Sequence, residues 1–142
     1  MRSLFVDTGP FVALASPRDR FHERAGELLR RIAAREWSYV TTSDFVLAET
    51  LNFVQRKIRR KDAMDRVMEL AFGSSRQPPI VRDVQRVHAG RFASATHAMS
   101  AGFDRGLSFT DWTTIVVMRE AGISEVATFE GGFGGVVGVA EV

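Results

Sequence analysis

Short runs of apolar, strand-forming residues alternate with longer segments of helical spacing along this 142-residue chain. The first run, Leu4-Phe5-Val6, is followed by Asp7-Thr8-Gly9-Pro10, where a polar cap and a proline suit the first turn of a helix. Strands that alternate with helices are typical of α/β folds with a mostly parallel sheet. We therefore predict an α/β fold. The chain has no repeat or linker ahead of the glycine-rich tail 131–135, which favours a single domain over residues 1–142.

The same pattern predicts the order of the later elements. Further short strands are expected at about residues 37–40, 79–81 and 126–128. Amphipathic or buried helices are expected at about residues 18–35, 44–58, 62–72, 84–101 and 108–121.

Composition excludes several classes of site. The chain has no cysteine, so a disulfide framework, thiolate metal sites and cysteine nucleophiles are excluded, and any metal must use oxygen or nitrogen ligands. No segment approaches the roughly 18 apolar residues of a membrane span, and the N-terminal apolar stretch is too short for a signal sequence. We expect a cytoplasmic protein without a membrane partner.

Asp7 is the first candidate for chemistry. It follows the first predicted strand, and ligands of an open parallel sheet bind outside the carboxyl ends of the strands. Aspartate is also a preferred helix cap, so a purely structural role stays open.

Glu49 is the second candidate. Leu47, Leu51, Val54 and Ile58 form one apolar stripe of their predicted helix, whereas Phe45, Glu49 and Phe53 lie on roughly the opposite side. A solvated surface glutamate is the ordinary alternative. A carboxylate between two phenylalanines needs a partner or a cation, so Glu49 is a candidate ligand.

Two further acids follow the same logic near the end of the chain. Asp111 lies in the first turn of a helix whose apolar run Ile115–Met118 predicts a central position, although Ser108 and Asp111 also have capping-box spacing. Glu130 follows the predicted strand at 126–128.

Converging carboxylates repel one another unless protons or cations neutralise them. Hard oxygen ligands suit Mg²⁺ or Mn²⁺, which bridge to phosphates and support phosphodiester hydrolysis.

Four motifs then resemble the PIN domain family, and more narrowly its VapC toxins, the ribonucleases of type II toxin–antitoxin pairs. They occur in the order and spacing of the family over nearly the whole chain: Val6-Asp7-Thr8-Gly9, Ala48-Glu49-Thr50, Leu107-Ser108-Phe109-Thr110-Asp111, and Ala127-Thr128-Phe129 with the acid that follows.

The resemblance implies a Rossmann-like three-layer sandwich, RNA cleavage with Mg²⁺ or Mn²⁺, a homodimer, and inhibition by a small VapB-like antitoxin. It implies Asp7 and Asp111 as principal metal ligands, with Glu49 completing the cluster directly or through water. Glu130 departs from the aspartate usual in the family, and its extra methylene bears on whether a second cation is held.

The resemblance also marks accessory positions. Asp104 matches a position that is acidic in many members of the family. Three polar residues match those that orient carboxylates or waters, namely Thr8, Ser108 and Thr110.

RNA must also be held by its phosphates, and a basic run follows the helix that carries Glu49: Arg56, Lys57, Arg59, Arg60 and Lys61. Cations that favour the negative end of the helix dipole are the alternative explanation.

The sequence leaves two rival functions open, a housekeeping PIN nuclease in RNA processing and a non-catalytic RNA- or protein-binding module. The second rival would be expected to lack one of the acids Asp7, Glu49 and Asp111, and none is missing.

Overall fold

The computed structural model describes residues 2–142. Its strands are β1 (Ser3–Val6), β2 (Tyr39–Ser43), β3 (Asp83–Gln85) and β4 (Glu125–Ala127). Its α-helices are α1 (Thr8–Ala15), α2 (His22–Ala33), α3 (Asp44–Phe53), α4 (Lys61–Phe72), α5 (Ala89–Ala101) and α6 (Phe109–Ala121). A π-helical turn, Val54–Ile58, continues α3, and a 3₁₀ turn, Phe103–Arg105, precedes α6. Within residues 2–142, no helix has the length and apolar character needed to cross a membrane.

The strands form one four-stranded parallel sheet in the order β3-β2-β1-β4, flanked by helices, as the α/β prediction requires. In the central strand, Leu4 lies opposite Val40 of β2 and Glu125 of β4. The chain adds β2 and β3 on one side of β1 and then returns to place β4 on the other side. The sheet therefore has its topological switch point between β1 and β4, where an open parallel sheet offers a ligand crevice.

The core is built around β1. Leu4, Phe5 and Val6 are fully buried, as expected for a central strand that is covered on both faces. Ile115 and Val117 of α6 are also completely buried, in agreement with the apolar run in the sequence. Beyond β4, the tail extends the sheet edge: Val126 N–H donates to the Gly138 carbonyl at 2.9 Å.

Side-chain caps position two helices that matter for the site. The Ser43 hydroxyl accepts a hydrogen bond from Val46 N–H at 3.1 Å and so starts α3 directly at the end of β2. Ser108 and Asp111 form a capping box at the start of α6. That helix ends at Gly122, whose φ of 70° lies in the left-handed region.

The expected strand at 79–81 and the helix expected from residue 84 are wrong. Ile80 and Val81 are buried outside the strands, and Val84 belongs to β3. Pairing with β2, where Thr42 lies opposite Val84, decides the conformation over local helical spacing. α5 starts only at Ala89, because the His88 ring nitrogen caps it by accepting from Arg91 N–H.

Two other boundaries differ from the prediction. α2 begins at His22, because Asp19 ends a turn by accepting a 2.8 Å hydrogen bond from Phe21 N–H. β2 begins at Tyr39 instead of Trp37 and continues through Ser43, so the threonines expected in a helix cap belong to the strand. The Thr42 hydroxyl donates to the Val6 carbonyl at 2.8 Å, so this threonine bonds directly to the neighbouring strand β1.

Candidate metal centre

Three carboxylates meet at the switch point of the sheet. Asp7 directly follows β1, Glu130 lies in the loop after β4, and Asp111 lies in the first turn of α6. One oxygen of each can be chosen so that all three atoms lie within 4.8 Å of one another. The crevice that the topology predicts is therefore lined with acid.

Asp7 is the most enclosed of the three, with 3% of its surface exposed. It occupies the cap position of α1, but its side chain does not form the capping bond that such a residue usually makes. Instead, its Oδ2 accepts a 2.9 Å hydrogen bond from the Thr128 hydroxyl. Burial raises the pKa of Asp7 from 3.8 to about 7, and the nearby charges of Asp111 and Glu130 act in the same direction.

Asp111 is held by the cap of its own helix. Its Oδ2 accepts from Ser108 N–H at 3.0 Å, and its own N–H donates to the Ser108 hydroxyl at 3.1 Å. Asp111 is 7% exposed and still reaches the acidic cluster. Capping and membership of the cluster therefore coexist in one residue.

Glu130 provides the exposed side of the cluster. Partial burial raises the pKa of its carboxyl, and the charges of Asp111 and Glu49 raise it further. Its backbone N–H donates to the Thr128 hydroxyl at 3.1 Å. The same hydroxyl that holds Asp7 therefore also fixes the loop that carries Glu130.

Glu49 lies beside the cluster and not within it. It projects from α3 into the same cleft as Asp111 and Glu130, a cavity of about 600 Å³. Its Oε2 accepts a 2.6 Å hydrogen bond from the hydroxyl of Thr8, the residue next to Asp7. The acid that completes the group of three carboxylates is thus Glu130.

Two of the other four predicted positions line this cleft and two do not. Ser108 and Thr8 line it, whereas Asp104 is exposed on the 3₁₀ turn before α6, outside the lining. Thr110 uses its carbonyl to accept from the Thr113 hydroxyl at 2.6 Å and does not line the cleft.

Ion pairs engage two of the five cations of the basic run. Arg60 pairs with Asp62 at 2.9 Å and Lys61 pairs with Asp65 at 2.7 Å, both on the exposed surface. In the described part of the chain, no ion pair engages the remaining three cations, Arg56, Lys57 and Arg59.

Sequence reasoning assigned no role to two residues of the site, although Thr128 lies in one of the four quoted motifs. Thr128 joins Asp7 to the Glu130 loop, and its position at the end of a strand could have drawn attention to it. Arg20 lines the cleft near the acids, but in the sequence it falls within a segment that was expected to be an ordinary helix surface.

The donor set fits a divalent cation. Across residues 2–142, no lysine or arginine forms an ion pair with Asp7, Glu49, Asp111 or Glu130. Burial is the main cause of the raised pKa values of Asp7 and Glu130, and the charges of neighbouring carboxylates in the cleft raise them further. Carboxylate oxygens are the ligands that Mg²⁺ and Mn²⁺ prefer.

Comparison with known proteins agrees with this geometry. A family model described as the PIN domain matches residues 4–137. The 23S rRNA-specific endonuclease VapC20 of Mycobacterium tuberculosis, found in strains CDC 1551 and H37Rv, is 32% identical over 130 residues, which cover 92% of this chain and 91% of that protein. The crystal structure of VapC20 from Mycobacterium tuberculosis, described as a Sarcin-Ricin loop cleaving toxin, superimposes with a TM-score of 0.77 at 29% identity and covers 98% of each chain.

Proposed function

The chain belongs to the PIN domain family, and from that premise we propose that it is a metal-dependent endoribonuclease that hydrolyses RNA phosphodiester bonds. We propose further that residues 1–142 form a single PIN domain. The observation that carries the proposal is the group of three carboxylates at the switch point between β1 and β4.

Asp7, Asp111 and Glu130 are the residues that would hold a Mg²⁺ or Mn²⁺ ion, because their oxygens are close enough to share one. Glu49 lines the same cleft and would complete the set directly or through water. When bound, such an ion polarises a phosphoryl oxygen and lowers the pKa of a water molecule for attack on phosphorus.

The protein itself contributes orientation. Thr128 holds one oxygen of Asp7, and Ser108 N–H holds one oxygen of Asp111. Thr8 fixes Glu49 in the same way. Hydrogen bonds of this kind keep ligand carboxylates in position and affect metal affinity strongly.

RNA phosphates would be bound by cations at the rim. Within the basic run, Lys57 is favoured because, unlike the other two cations that form no ion pair among the described residues, it shares a pocket with Arg18. Lys57 and Arg18 line a pocket of about 490 Å³ that also includes Ser16 and Pro17. Arg18 immediately precedes Asp19 and Arg20, which line the acidic cleft, so neighbouring residues of one turn line both cavities. Arg56, Arg59, Arg60 and Lys61 are assigned weaker contributions to RNA binding.

The biological role that fits best is that of a VapC-type toxin in the cytoplasm. The 32% sequence identity to a 23S rRNA-specific endonuclease, over 92% of the chain, supports this role. A small VapB-like antitoxin and a second copy of the chain are the proposed protein partners.

Expression in the native host tests the role, and RNA cleavage tests the activity. The purified chain should cut RNA with Mn²⁺ or Mg²⁺ and lose this activity in EDTA. Inducible expression should arrest growth, and co-expression of the adjacent small gene should restore it. Cleavage in vitro without growth arrest would support a housekeeping nuclease, and absence of cleavage with every divalent cation would contradict the proposal.

A further inference from the structure

Arg20 is the only cationic residue among the described residues that line the acidic cleft. The other charged side chains of the lining are Asp19, Glu49, Asp111 and Glu130. A cleft of this charge repels a phosphodiester unless cations oppose the acids. Arg20 is therefore the residue of this lining whose charge can attract an RNA phosphate.

The guanidinium of Arg20 stacks on an aromatic ring. Its Cζ atom lies 4.5 Å from the centroid of the Phe21 ring. Phe21 in turn stacks on Phe129, with centroids 4.6 Å apart and an interplanar angle of 18°. Stacking uses the face of a guanidinium and leaves the N–H donors in its plane available for an anion.

The stack is held at both ends, and its Phe129 end adjoins the acidic cluster. Phe129 directly precedes Glu130, whose N–H donates to Thr128. At the other end, Phe21 N–H donates to the Asp19 carboxylate at 2.8 Å, and the adjacent His22 contacts the Ala13 carbonyl through Nδ1 at 2.7 Å. Arg20 therefore projects from an ordered turn and not from a free loop.

Arg20 is also free to bind a ligand. In the part of the chain that the structure describes, its guanidinium donates to no protein acceptor and forms no ion pair. Arg24, which lies 5.1 Å from the Phe129 centroid, differs because it donates to the Val142 carbonyl. Of the two arginines on this stack, Arg20 is the one without a protein partner.

We propose that Arg20, supported by the Phe21–Phe129 stack, binds a backbone phosphate of the RNA beside the metal centre. The proposal rests on the proposed nuclease function and deepens it by naming a residue that binds the substrate. Arg20 would bind the phosphate through two parallel N–H donors, a geometry that an arginine fork provides and a lysine does not.

The test is steady-state cleavage of a short single-stranded RNA with Mn²⁺ by the full chain, measured at several NaCl concentrations. R20Q should lower kcat/KM by about 10- to 100-fold, as expected for loss of a charge-assisted bond. The slope of log kcat/KM against log salt should become shallower by roughly 0.7, since one phosphate contact to a single strand is lost. R20K should fall between R20Q and the parent.

The matched control is R119Q, which removes the same charge from the last turn of α6, at the end remote from Asp111. R119Q should keep both the rate and the salt slope of the parent, and both variants should unfold at the parent's temperature. F21L should weaken cleavage in the same direction as R20K, because it removes the ring under the guanidinium.

A parent that cleaves RNA while R20Q keeps the same kcat/KM and salt slope would overturn this inference alone. A parent that does not cleave RNA overturns the proposed function and this inference with it. Unchanged cleavage by R20Q together with lost inhibition by the cognate antitoxin would assign Arg20 to a protein partner and likewise overturn the proposal.

Discussion

The hydroxyl of Thr128 donates a 2.9 Å hydrogen bond to Oδ2 of Asp7 and links the carboxyl ends of β4 and β1. These strands are neighbours in the sheet, although 121 residues separate the two side chains in sequence. The same hydroxyl accepts from Glu130 N–H. One threonine therefore holds the side chain of Asp7 and the backbone of Glu130, two of the three acids of the candidate metal centre.

Thr128→Val should weaken metal binding. Valine keeps the shape of the side chain but removes the donor to Asp7, and loss of such a partner typically costs about 10- to 100-fold in metal affinity or activity. Mn²⁺ titration of the RNA-cleavage rate measures the effect. Thr128→Ser, which retains the hydroxyl, is the control and should behave like the parent. A valine variant with the parent's Mn²⁺ dependence would show that this hydrogen bond is irrelevant to the site.

The free energy of unfolding of the metal-free protein should decrease as the pH rises from about 4 to about 7. Burial raises the pKa of Asp7 from 3.8 to about 7, so the folded state binds this proton more tightly than the unfolded chain. The resulting stabilisation is complete below the unfolded pKa and is lost as pH rises through about 7, with a slope of at most about 1.4 kcal/mol per pH unit. Glu130, whose pKa is also raised, acts in the same direction.

Chemical denaturation in EDTA at pH 5 and pH 8 measures this dependence. Asp7→Asn cannot ionise, so its free energy of unfolding should change less than the parent's between the two values. Equal pH dependence in the parent and in Asp7→Asn would mean that the Asp7 proton does not carry the effect.

Glu130→Gln should reduce Mn²⁺ affinity and also lower the pKa of Asp7. The substitution removes one carboxylate from the group of three and one negative charge that raises the pKa of Asp7. Isothermal titration with Mn²⁺ and the denaturation experiment above measure the two effects. Glu27→Gln, on the exposed surface of α2, removes the same charge outside the cleft and is the control. If both variants bind Mn²⁺ like the parent, Glu130 is not part of the metal centre.

Gly102→Ala should destabilise the fold and reduce cleavage together. A Cβ atom at this position would lie 2.4 Å from the buried Trp112 ring, next to Asp111. Displacement of that ring should cost about 1–3 kcal/mol, as overpacking typically does. Thermal unfolding measures the loss. Gly134→Ala, which meets no atom within 4 Å and has no positive φ, should unfold like the parent. Equal stability of the two alanine variants would contradict this packing argument.

The sequence predicted the parallel α/β architecture and pointed to Asp7, Asp111 and Glu130 because each follows a strand end or starts a helix. Those are local signals that survive in a single sequence. The third strand was misplaced, because Val84 becomes a strand residue only through pairing with Thr42, a contact between distant segments. The roles of Thr128 and Arg20 were missed for the same reason, since their partners Asp7 and the acidic cleft come from other parts of the chain.

The most direct test of the metal centre compares the parent with Asp7→Asn in two assays on the same preparations, Mn²⁺ binding and Mn²⁺-dependent RNA cleavage. The parent should bind Mn²⁺ and cleave RNA, and EDTA should abolish cleavage. Asp7→Asn should remain folded by circular dichroism, bind Mn²⁺ more weakly, and cleave at least about 100-fold more slowly. A folded Asp7→Asn protein that binds Mn²⁺ and cleaves RNA as the parent does would contradict the account.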